Sequence, residues 1–348
     1  MRTFSQLLVA LILAVTNPAA LYAQIGGVST FQLLDFPSSA RSAAMGQYHI
    51  TTQQSDVSLA LENPALLNSQ MDEHLAVTGN SYVGESNYGS AVYAREGTDG
   101  IMMMGGLQYL NYGTFTRANK AGERLGEFSA SEANLTAGAS RQSGQFTMGW
   151  RFNLMYGSLE SYSALATAMD FGVTYHDTAS LVTASLVANN LGTMVVPYVE
   201  DNPEPLPLNV QLGLSKRLAN APFRITVLAH HLNVPDMTER SVGDSPSLGG
   251  LGVANNQEDS PSLSDKIFRH FILGGELIFS ENFQLRFAYN HQLRQTMTIE
   301  ANQGLVGFSG GVGIGIGKFT VNYGIGQYHL AATTHTLSVS TDLEQLFV

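Results

Sequence analysis

From His74 to Asp342 the chain reads as about fourteen short segments in which apolar and polar residues alternate. In one of them Phe146, Met148, Trp150, Phe152, Leu154 and Tyr156 recur at every second position, with Thr147, Gly149, Arg151 and Asn153 between them. Side chains on a strand point to opposite faces with a period of two, so the segment is a strand with one oily face and one wet face. Met169, Phe171, Val173 and Tyr175 repeat the pattern against Asp170, Gly172, Thr174 and His176. Leu208 to Ser215, Phe283 to Asn290 and Phe319 to Ile325 do the same.

A soluble sandwich also alternates, so connection length carries the next step. Tight links fall near 96–99, 141–144, 176–180, 218–222, 280–281 and 317–318. Long or polar links fall near 111–130, 157–167, 191–206, 233–269 and 293–303, with shorter ones near 83–87 and 328–329. Outer-membrane barrels have an even strand count, short periplasmic turns and longer external loops. The pattern therefore predicts an all-β fold: a transmembrane antiparallel β-barrel of about 14 strands spanning 74–348, with both chain ends on the periplasmic side.

Composition agrees with a lipid-facing sheet: charged residues are 13% and glycines number 35. The net charge of -11 argues against a nucleic-acid partner, which needs a basic footprint. At the N-terminus, Met1-Arg2, the apolar run Leu7 to Val15 and Leu21-Tyr22-Ala23 before Gln24 read as a signal peptide over 1–23. With no cysteine, a lipobox, a disulfide and a thiolate metal site are all excluded.

Residues 24–73 break the strand rhythm. Pro37-Ser38-Ser39 starts a short helix over Ala40 to Met45, stopped by Gly46, and a second helical piece runs from Ser55-Asp56 to Glu62 before Asn63-Pro64. A barrel of this size is wider inside than its own side chains fill, so this segment is expected in the lumen as a partly helical plug. Alternation turns Arg151, Asp170, Glu276 and Arg286 inward, where they would pin Arg41 or one another.

Chemistry is sparse. His230 and His231 are adjacent on an expected strand and so face opposite ways, and no histidine pair has the helical spacing of a zinc site. Gly311, Gly313, Gly315 and Gly317 interleave with Val312, Ile314 and Ile316, which is not a phosphate loop but an inner wall with room for the plug. His230, His231 and Asp236 near the longest loop match no nucleophile motif. The expectation is a non-enzyme without metal or cofactor. The 233–269 loop is far longer than an ordinary connection, and with the 191–206 loop it is the natural docking surface, with Tyr198 as aromatic anchor and Pro235, Asp236, Asp244 and Asp259 on the long loop.

Three strings resemble a known family: Gly26-Gly27-Val28-Ser29-Thr30-Phe31-Gln32-Leu33-Leu34, then Phe36-Pro37-Ser38-Ser39-Ala40-Arg41-Ser42-Ala43-Ala44-Met45-Gly46, then Glu62-Asn63-Pro64-Ala65-Leu66-Leu67. They look like the opening of PorQ proteins, in the PorV/PorQ family of the type IX secretion system of the Bacteroidota. The Asn-Pro-Ala element is also similar to that of the wider FadL-like barrels. The resemblance implies a FadL-like barrel with an N-terminal plug, integral to the outer membrane. It further implies a scaffold of the attachment complex that anchors PorZ, alongside the peptidase PorU and the barrel PorV. The alternative is a FadL-like transporter of hydrophobic small molecules, which needs an apolar pocket between plug and wall. The inner-face residues, read as mostly Gly, Ser, Thr and Asn, point to no such pocket.

Overall fold

The computed structural model describes residues 30–82, 84–119, 121–200, 204–238, 262–296, 304–329 and 332–347. The expected signal peptide, Asp244 and Asp259 lie outside them. Fourteen antiparallel strands close into one barrel, each paired with its sequence neighbours. They are β1 (His74–Ser81), β2 (Asn87–Glu96), β3 (Ile101–Ala118), β4 (Arg124–Ser143), β5 (Phe146–Leu159), β6 (Tyr162–Asp177) and β7 (Val182–Val196), then β8 (Asn209–Arg217), β9 (Phe223–Ala229), β10 (Phe271–Ser280), β11 (Phe283–Asn290), β12 (Phe308–Ile316), β13 (Phe319–His329) and β14 (Ala332–Asp342). Pairing of β1 with β14, from His74 opposite Asp342 to Ser81 opposite His335, completes the ring. Closure leaves no sheet edge, which is the condition for a sheet to cross lipid, where each unpaired backbone group costs several kcal/mol.

Alternation becomes two surfaces. Trp150, Phe152, Leu154, Phe171, Leu186, Leu212 and Phe287 are exposed on the outside, while Arg151, Asn153, Asp170, Ser185, Gln211 and Arg286 are buried within. Aromatic pairs mark both interfaces: Phe146 with Tyr175 and Phe279 with Phe283 lie at the rim of tight turns, and Tyr289 with Phe308 at the opposite rim. Such girdles sit at headgroup level on either side of a bilayer.

Two links expected to be long are not loops. β3 and β4 are 18 and 20 residues long and pair as far out as Ala118 opposite Arg124, and β5 and β6 pair to Leu159 opposite Tyr162. A membrane-spanning strand needs only about 9–11 residues, so these hairpins project beyond the bilayer. There no lipid enforces an apolar outer face, and the alternation that marks a strand disappears although the pairing continues. A register shift between Asn111 and Thr114 falls at this exit, and Phe115 stacks on Phe128 further out. Outside the sheet are α1 (Ala40–Ala44), α2 (Leu263–Phe268), α3 (His291–Thr296) and α4 (Leu343–Phe347).

Residues 30–73 occupy the lumen as the plug. Ser39 caps α1 by accepting from the Ser42 amide, and Gly46 follows at φ 90, a left-handed turn that favours glycine after a helix. Val57–Leu61 and Pro64–Leu66 are 3-10 turns, the second started by Asn63, whose side chain accepts from the Ala65 amide. Every residue of α1 and of both turns is buried.

Candidate functional site

The inner wall is built to receive the plug backbone. Short turns leave carbonyls without intrahelical partners, and a buried carbonyl without a donor is costly. Wall side chains supply the donors: Ser140 to Leu67 O (2.9 Å), Asn189 to Glu62 O (2.9 Å), Ser309 to Ala44 O (3.0 Å) and Asn290 to Gly46 O (3.0 Å). Asn63 bridges the other way, donating to Thr174 Oγ1 at 3.1 Å.

The expected charged pins fall into two separate groups. Arg151 on β5 faces Asp170 on β6 at 2.5 Å and also donates to the Leu61 carbonyl, while Asp170 accepts from Asn153 (2.8 Å) and the Asn190 amide (2.6 Å). On the other side Glu276 on β10 accepts from Arg224 of β9 (2.7 Å) and Arg286 of β11 (3.2 Å), with Arg41 of α1 at 3.9 Å. Arg41 also lies 3.7 Å from Asp56 and donates to Gln284 at 2.8 Å. Sequence reasoning missed Arg224, although the alternation of Phe223, Ile225 and Val227 around it turns it inward.

Three apolar patches complete the contact. Near the periplasmic end Val57, Leu61, Leu67 and Met71 of the plug meet Val92, Met102 and Met104 of the wall. Ile50 packs with Val187, Leu228 and Ile272. Toward the outer mouth Phe31 and Leu33 pack against Tyr88, Leu110, Met155, Ala164, Ala166 and Ala168 of β2, β3, β5 and β6, with Leu206 above. This outer chamber corrects the expectation of an inner face that is mostly Gly, Ser, Thr and Asn: several inward positions of these strands are apolar. Beneath Phe36 a polar cavity of about 30 Å³ lies between Glu62, Arg151, Asn189 and Gln211. Its volume suits a water molecule.

Tyr198 does not stand outward as an anchor. Its ring packs on the outer chamber beside Leu206 and its hydroxyl lies over Gly157. Pro235 and Asp236 are exposed at the base of the long loop, where Asp236 accepts from Lys266 of α2 at 2.7 Å. His230 and His231 do not sit on opposite faces of a strand. β9 ends at Ala229 and His231 has φ 51, so the rings meet with Nδ1 atoms 2.8 Å apart beside Tyr48, one donating and one accepting. Asp236 is directed to Lys266. Gly313 faces Arg286 and Asn322 and not the plug, whereas Gly311 faces Ala44.

Lys266 and Thr238 hold the Asp236 carboxyl down at about 2. A depressed acid contributes to the folded state above its ordinary range, and the contribution is lost as pH falls through about 2. Titrating the Asp236 carboxyl carbon by NMR is expected to give that midpoint, and Lys266→Gln to return it toward the ordinary carboxylate range; an unchanged midpoint in the variant would remove Lys266 as the cause.

No family model matches the sequence, and no curated protein sequence is similar to it. Solved structures are similar in fold. The Pseudomonas putida toluene transporter TodX aligns with 92% of this chain and 100% of its own at 12% identity and a TM-score of 0.51. The Ralstonia pickettii toluene transporter TbuX aligns over 88% and 97% at 11% identity and a TM-score of 0.50. The fold is FadL-like. At such identity the likeness is one of architecture: an integral barrel of the outer-membrane type with its N-terminal segment inside.

Proposed function

We propose that the chain is an outer-membrane channel for apolar small molecules, held closed by its plug. The observation that carries this reading is the outer chamber. At the outer mouth the wall is lined by Leu110, Met155 and a run of inward alanines, small residues whose room is taken by Phe31 and Leu33 of the plug. Apolar linings with few polar groups are how proteins take up ligands that lack a polar handle. The likeness to two toluene transporters favours the same class of cargo. Cells carrying the barrel are expected to take up radiolabelled toluene faster than cells without it, and Ala166→Phe, which fills the chamber, to cut the excess several-fold. Equal uptake in all three strains would end the proposal.

A second reading has its own observation. Val195, Val196 and Val199 are exposed on the outer rim, an apolar strip suited to a protein partner. In this reading, which the resemblance to PorQ proteins supports, the barrel is a scaffold of the type IX secretion attachment complex that holds PorZ beside PorU and PorV. Recovery of PorZ with the tagged barrel in mild detergent, lost on Val199→Glu, distinguishes it from the channel.

A further inference from the structure

The outer wall of a barrel is convex, and a belt of large apolar side chains normally keeps it smooth. Here it is dented. Across β3 to β8 one hydrogen-bonded row runs Ile101, Arg141, Met148, Val173, Leu186, Leu212. Ala139 lies one pleat above this row and Ala184 one below, and these short side chains leave a groove of about 610 Å³ walled by Trp150, Phe171 and Tyr175. All these residues point away from the lumen, since their neighbours Ser140, Arg151, Asp170 and Ser185 are buried inside.

The groove lies directly over a plug contact on the other face. Gly149 and Gly172 form part of the groove's floor, and on the inside the same glycines touch Pro64, Ala65 and Asn63 of the plug. Lacking side chains, they let wall and plug backbones approach closely, so the plug backs the groove's floor directly.

One end of the groove is polar. Arg141 stands exposed two residues before β4 ends at the periplasmic turn, and it pairs with no carboxylate among the described residues. A cation on the lipid face costs little near the interface and several kcal/mol only at the midplane, so its place suits contact with headgroups. An apolar slot below the headgroup level, with a lone guanidinium at its periplasmic edge, has the charge and polarity of a phospholipid: chain in the slot, phosphate at the cation. A protein segment would leave that guanidinium with no counter-ion unless it brought its own acid.

We propose that this groove is a phospholipid-binding site, in which one acyl chain of a periplasmic-leaflet phospholipid lies between Trp150 and Leu186 and its phosphate contacts Arg141. The site differs from the luminal chamber and does not depend on what the barrel transports or anchors.

Trp150 is the chain's single tryptophan, so the groove contains its own reporter. The barrel is reconstituted in vesicles of phosphatidylethanolamine in which a rising fraction of the lipid is replaced by phosphatidylglycerol with brominated chains, which quench tryptophan on contact. A single cationic contact with an anionic lipid enriches it about five-fold over bulk. Quenching is therefore expected to rise steeply and saturate at low brominated fraction. Arg141→Gln should flatten the curve to the bulk composition, and Ala139→Phe should do so by filling the slot. Both substitutions are at lipid-exposed positions, and heat-modifiable migration on gels checks that each variant is folded. Quenching proportional to bulk composition in the unaltered barrel, or identical in Arg141→Gln, would overturn the proposal. So would the absence of quenching at every composition together with a dimer in sedimentation, which would mean that a second copy covers the groove.

Discussion

A barrel carrying Gly149→Val is expected to conduct ions where the unaltered barrel is closed, because the substitution drives the plug off its seat. A Cβ at position 149 would fall on the carbonyl of Pro64 and the amide of Ala65, both backbone, and backbone cannot rotate aside as a side chain does. Overpacking against flexible side chains already costs about 1–3 kcal/mol, and here the wall is fixed by pairing with both neighbouring strands. The plug must yield. Moving it withdraws Asn63 from Thr174 and Leu67 from Ser140, so the displacement propagates along the Pro64–Leu66 turn. Gly324→Val should act alike at the other end, where the added atom meets the carbonyl of Ala40. Gly79→Ala is the control, since nothing lies within 4 Å of its Cβ position. Planar-bilayer recordings decide the matter: conductance in the two valine variants and silence in Gly79→Ala is the expected pattern, and silence in all three would mean that the plug tolerates the intrusion.

The same contact explains what the sequence made legible and what it hid. Period-two alternation is imposed by lipid on one side and plug on the other, so strands were readable wherever both were present, as in Phe146 to Tyr156. Beyond the bilayer one constraint vanishes, and Asn111 to Ala130 read as a loop although it forms a paired hairpin. The inward charges were readable by parity. Their grouping was not, because Arg151 meets Asp170 only in the register the two strands adopt, and Arg41 meets Glu276 only where the plug helix lies against the wall. Inward serines and asparagines pointed only to the lack of an apolar pocket. Their purpose emerges only with the plug's unpaired carbonyls in place, since a donor is intelligible only beside its acceptor. The outer chamber was missed for a related reason: Ala164, Ala166 and Ala168 alternate with Leu165, Thr167 and Met169, and small residues between larger ones look neutral until burial assigns them a side.

Glu276→Gln is expected to destabilise the folded barrel by about 3–5 kcal/mol, the cost of removing one partner from a buried ion pair. Glu276 is fully buried and is the only carboxylate within ion-pair distance of Arg224 and Arg286 among the described residues. It also faces Arg41, whose other carboxylate is Asp56. Without its charge, three guanidiniums are left with one acid between them, in a lumen that water does not freely enter. An amide retains one oxygen to accept a hydrogen bond, so the loss measured is chiefly that of charge and not of shape. Adding Arg286→Met to Glu276→Gln should recover part of the loss, because replacing both members of a buried pair removes the uncompensated charge. The exposed pair of Arg95 with Glu73 at 3.3 Å supplies the contrast, since surface ion pairs contribute about 0–1 kcal/mol. Equilibrium unfolding in denaturant with lipid present measures all of these. Because Arg41 belongs to the plug and Glu276 to the wall, protease access to the plug should rise with Glu276→Gln and fall back in the double variant. A single variant within about 0.5 kcal/mol of the unaltered barrel, the range of an ordinary surface substitution, would mean that the arginines are neutralised by something other than Glu276.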